Sequence, residues 1–104
     1  MSMEKHHCII LIGSEGELKK AKKIAASYFP KHFMVSGIIH SPVNGVTSLY
    51  IAPDGSGDGW ATSNEYDKLR EHFYLDLIRE TPSLSIAEVA LPENGNYTVR
   101  NVRK

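Results

Sequence analysis

Residues 8–12, CIILI, are apolar at every position and end at Gly13, a run of strand length that reads as a central strand buried on both faces. After it, Leu18, Ala21, Ala25 and Tyr28 recur at helical spacing, Ile24 and Phe29 widen the stripe, and Pro30 ends it. Ser14 and Glu17 form an S-x-x-E pair at the start of that stripe, which predicts a capping box in which each side chain satisfies a backbone N–H. Two β-branched and aromatic stretches follow, separated by SPVNGV with its Asn44-Gly45 turn signal, and predict a hairpin of residues 33–40 and 46–52. Tyr66, Leu69, Phe73 and Leu77, with Tyr74 and Ile78 beside them, predict an amphipathic helix over 64–80 that stops at Thr81-Pro82. SIAEVAL reads as the last full strand, and an Asn94-Gly95 turn folds YTVRNV back as a short edge strand.

The predicted order is β-α-β-β-α-β, the split βαβ arrangement of the ferredoxin-like superfold, in the α+β class. Right-handed crossovers give a four-stranded antiparallel sheet of order 4-1-3-2 with both helices on one face and room for an extra C-terminal edge strand. One domain covers 1–104, with residues 1–5 and 101–104 expected to be disordered. The order of elements names no function, because this fold hosts many.

Alternation along a strand has a consequence for that sheet. Cys8, Ile10 and Ile12 point one way while Ile9 and Leu11 point the other, so both sides of the central strand are apolar. Two helices cover one side only. Ile9 and Leu11, or their alternates, are therefore expected on an open apolar surface, the kind that marks an interaction site. Because most soluble oligomers are twofold-symmetric homo-oligomers, a homodimer is the first expectation for what covers it, ahead of another protein, a small ligand or the C-terminal segment folding across.

Composition changes this picture little. A 41% hydrophobic and 23% charged share is that of an ordinary soluble domain, no apolar run is long enough to span a bilayer, and no secretory signal opens the chain, so a cytoplasmic protein without a membrane partner is expected. The lone cysteine, Cys8, agrees with a reducing compartment and reads as a small buried hydrophobe. Net charge is zero, yet residues 1–50 carry six Lys/Arg against three Asp/Glu and residues 51–99 carry three against nine. Such segregation suits a bipolar surface that pairs with itself or with a partner.

The stretch DGSGDGWATSNE, residues 54–65, carries the sharpest chemical signal. Asp54, Ser56, Asp58 and Glu65 fall at positions 1, 3, 5 and 12 of a calcium loop, Gly59 sits at the turn position, and Trp60 offers the carbonyl at position 7. Against that reading, Ala61 replaces the branched aliphatic residue that pairs with a sister loop, and no sister loop or entering helix precedes it. The glycine turns, with Ser63 or Asn64 as helix cap and Glu65 and Asp67 at the positive helix end, account for the same residues without an ion. Trp60, the single tryptophan, is either packing over a helix end or an aromatic anchor for a partner.

Other chemistry is weaker. His6 and His7 are adjacent on a strand and point apart, so with Cys8, His40 and His72 they show no metal-ligand spacing. Lys19, Lys20, Lys22 and Lys23 crowd one helix, but the neutral balance and missing RNA-binding aromatics argue against nucleic acid. Glu15 and Glu17 would repel a phosphate from the helix start at Gly13–Gly16. No nucleophile or zinc-protease motif is present. The expectation is a non-catalytic, cofactor-free interaction module that uses its sheet face and the Trp60 loop. The alternatives are a small dimeric α/β-barrel enzyme or ligand carrier with an internal cavity bearing His40 or Tyr50, and a weak calcium module.

Overall fold

The structure is a computed structural model that describes residues 5–29, 35–53, 61–92 and 96–103. Strand β1 (Lys5–Gly13) leads into helix α1 (Glu15–Tyr28), strands β2 (Ile39–His40) and β3 (Thr47–Ile51), helix α2 (Ala61–Glu80), and strands β4 (Ser85–Pro92) and β5 (Thr98–Arg103). The fold is α+β, with one sheet of order β2-β3-β1-β4-β5 in which every neighbouring pair is antiparallel. The sheet has five strands rather than the four expected. Residues 98–103 pair with Ile86–Ala90 of β4, and positions 101–103, expected to be disordered, continue the pairing through a register shift between Ile86 and Ala87.

Each element follows from its local chemistry, with three departures. Ser14 caps α1 as expected, accepting from the Glu17 N–H at 3.3 Å. The Glu17 carboxylate does not return to Ser14; it accepts the Ser83 N–H at 3.1 Å and so ties the start of α1 to the turn before β4. In the hairpin, Asn44 and Gly45 both hold φ near +60°, the left-handed conformation that primed turns require. The incoming strand is only Ile39–His40, because the Ser36 hydroxyl accepts the Tyr50 N–H at 2.9 Å and takes the place of a ladder carbonyl. Finally, α2 begins at Ala61, so Ser63 and Asn64 lie inside its first turn rather than at its cap.

The core lies between one sheet face and both helices. Leu18, Ala21 and Ala25 from α1 and Phe73, Tyr74 and Leu77 from α2 pack on Ile9, Leu11, Leu49, Ile51 and Ile86. Phe29 meets Phe73 edge-on at 5.2 Å between ring centres, a contact that adds about 1 kcal/mol to simple burial. Gly13 lies close under Leu84: a Cβ there would stand 2.6 Å from Cδ1 of that fully buried side chain, which would have to shift.

Candidate functional site

The register decides which residues face away from the helices. Ile9 and Leu11, expected on the open surface, are 1% and 0% exposed beneath the helices, while Ile10 and Ile12 on the opposite parity are 37% and 45% exposed. This corrects the assignment of the two faces. Strand alternation is symmetric between them, and the helices settled on the Ile9 side.

Cross-strand pairing organises the open face into rows. Cys8, Val89 and Val99 form one row; Tyr50, Ile10, Ala87 and Asn101 form the next; Ile39, Ser48, Ile12 and Ser85 form the third. None of these positions carries a formal charge. Val99, Ile39 and Tyr50 are 54%, 52% and 39% exposed, so the face presents branched apolar side chains to solvent. A shallow groove of about 290 Å³ runs across it between Ile12 and Asn101, with Arg103 at its edge. The Tyr50 hydroxyl donates to Cys8 Sγ at 3.3 Å, and that bond, with partial burial, raises the phenol above its ordinary range. Cys8 is buried, as a small hydrophobe should be.

The helix-covered side holds a polar cluster that no sequence motif announced. Glu88 sits on the core-facing parity of β4, and its Oε1 accepts from the Tyr74 hydroxyl at 2.8 Å and lies 3.5 Å from Arg70 Nε. Arg70 also pairs with Asp67. Buried His7 Nδ1 has no hydrogen-bond partner among the described residues and stands 3.8 Å from the same Glu88 oxygen. Arg100 lies 5.5 Å from the centre of the Tyr74 ring and grips Glu71 with two bonds of 2.8 and 3.0 Å. Burial foremost, then the Glu88 charge and hydrogen bond, push the Tyr74 phenol far above its ordinary value of 10. The one available signal was parity: Ile86, Glu88 and Ala90 share a strand face, and a carboxylate there must find buried partners.

The remaining expected residues are dispersed. Asp54, Ser56, Asp58 and Trp60 lie outside the described residues, and Glu65 is exposed on α2. Among the described residues no group of three or more His, Cys, Asp or Glu side chains is placed to hold a metal ion. His40 stands on the surface 3.4 Å from Glu15, and Tyr50 on the open face, so neither lines the interior between sheet and helices. No described helix is long and apolar enough to cross a membrane.

No known family matches the chain, and no curated protein matches it. Among solved structures, a phage SAM lyase in complex with S-methyl-5'-thioadenosine is similar at a TM-score of 0.45 and 11% identity, covering 94% of this chain and 90% of that one. A likeness of that size carries no argument about chemistry.

Proposed function

We propose that the protein is a self-associating interaction module whose open sheet face packs against the same face of a second copy. The observation that carries this reading is the combination of exposed Ile10, Ile12 and Val99 with three central cross-strand rows that hold no charged side chain. The three central rows meet their own twofold image without like-charge contact, and the charged or titratable groups, Arg103 at one end and His6 at the other, stand at the margin of the face. Five strands about 4.8 Å apart, at about 3.3 Å per residue, make a face of roughly 500 Å², below the roughly 800 Å² per partner of standard interfaces and in the range of weak, transient association. On this reading the element order and the β2-β3-β1-β4 succession belong to the split βαβ, ferredoxin-like arrangement, with β5 as an added edge strand.

Sedimentation velocity at high micromolar concentration tests it. The chain is expected to run at twice its own mass. Ile10→Asp, which places a charge at the centre of the face, is expected to run as a folded monomer with unchanged circular dichroism. A wild-type chain that stays monomeric, or an Ile10→Asp chain that still dimerises, rejects the reading.

A further inference from the structure

A second surface feature lies on the far side of the helices from the open sheet face, in the cleft where α1 and α2 run side by side. It is a shallow depression of about 370 Å³, open to solvent, lined by Lys20, Lys23 and Ile24 from α1 and Asp76, Arg79 and Glu80 from α2. The walls are two sets of positions i, i+3 and i+4, the spacing that brings three helix side chains onto one stripe. Ile24, half-buried against the core, supplies an apolar floor.

The charges in the cleft are unevenly satisfied. Asp76 is occupied on both oxygens: Oδ1 accepts from Arg79 Nη2 at 2.8 Å, and Oδ2 accepts from the Tyr28 hydroxyl. Arg79 Nε also reaches Glu80 Oε1 at 3.3 Å, so this arginine is engaged by the two acids of its own helix. Lys20 and Lys23 have no acidic partner among the described residues, while Lys19 pairs with Glu15 at 3.8 Å. The excess positive charge of the cleft therefore rests on two adjacent ammonium groups above an apolar floor. Glu80 Oε2, unbonded among the described residues, remains able to accept a proton donor.

We propose that this cleft binds a small phosphorylated molecule, with Lys20 and Lys23 on the phosphate, Ile24 under an apolar body, and Glu80 accepting from a hydroxyl or amino group. Two flexible ammonium groups act as point charges on a compact dianion, which suits phosphate better than a planar carboxylate that calls for an arginine fork. Asp76 and Glu80 in the opposite wall repel an extended polyanion, so the site selects a small ligand over a nucleic acid.

The test uses the full chain and pyrophosphate as probe, followed by amide chemical shifts at low salt. Saturable shifts are expected in residues 20–24 and 76–80. Lys20→Ala/Lys23→Ala is expected to weaken binding about tenfold or more, while Lys19→Ala/Lys22→Ala, on the outer face of α1, changes it less than about twofold. Shifts that never saturate, or an equal loss in both double variants, mean a diffuse basic surface and overturn the proposal. Tighter binding of a single-stranded oligonucleotide that needs all four lysines overturns it in favour of a nucleic-acid surface.

Discussion

Glu88 is the most consequential single residue of the described structure. Its side chain is 12% exposed, and Tyr74, Arg70 and His7 converge on it. Neutralising it in Glu88→Gln leaves the almost fully buried Arg70 with less compensation, and the expected loss is about 3 kcal/mol in urea denaturation. Tyr74→Phe removes one donor and keeps the packing, so about 1–2 kcal/mol is expected. A titration test accompanies these. The folded-state phenol of Tyr74 titrates above its ordinary value of 10, so the stabilisation it reflects is complete below about pH 10 and is lost as the pH climbs through the folded value. In a spectrophotometric titration Tyr74 ionises only as the protein unfolds, and the Tyr74→Phe variant lacks that late step. A native protein in which all five tyrosines ionise freely near pH 10 contradicts the cluster.

Between elements, two side chains make junctions that the helices and strands alone do not. Ser14 and Glu17 serve separate backbone groups, the start of α1 and the Ser83 N–H, instead of one reciprocal box. Ser14→Ala and Glu17→Ala are each expected to cost about 1 kcal/mol, and the double variant the sum of the two, whereas a reciprocal box makes the pair strongly non-additive. At the other end, Arg103 of β5 donates to the carbonyls of Ile78 at 3.0 Å and Leu84 at 2.9 Å, and also to that of Thr81. The Ile78 carbonyl in the last turn of α2 thus receives a cation, which the helix dipole also favours, and the Thr81 carbonyl, which accepts the Leu84 N–H at 3.3 Å, gains a second donor. Arg103→Ala is expected to cost about 2 kcal/mol, with β5 amides the first to lose protection in hydrogen exchange.

Across the whole molecule, the separation of basic and acidic segments finds a partly internal use. The basic tail folds back on the acidic second helix, with Arg100 on Glu71 and Arg103 on the end of α2. The Arg100–Glu71 pair is half-exposed and contributes about 0.5 kcal/mol, so it orients β5 more than it stabilises the fold. What the intramolecular contacts leave unspent is the sheet face opposite the helices. If that face joins two copies, the melting temperature rises with protein concentration, by mass action, and the dependence disappears in Ile10→Asp. A melting temperature independent of concentration in the wild type counts against the dimer.

The amino-acid sequence by itself determined the kinds and order of the elements, because helix and strand periodicity, the Asn44-Gly45 turn and the Ser14 cap are local properties of neighbouring residues. It also required an apolar surface on both sides of β1, since CIILI is apolar in either parity. Only the tertiary structure decided which parity the helices cover, that Glu17 bonds to Ser83, and that Glu88, Arg70, Tyr74 and His7 meet around one carboxylate. Those outcomes depend on residues 14 to 81 positions apart in the chain being brought together by packing, and a pattern that is equally hydrophobic on two faces holds no information about which of them will be enclosed.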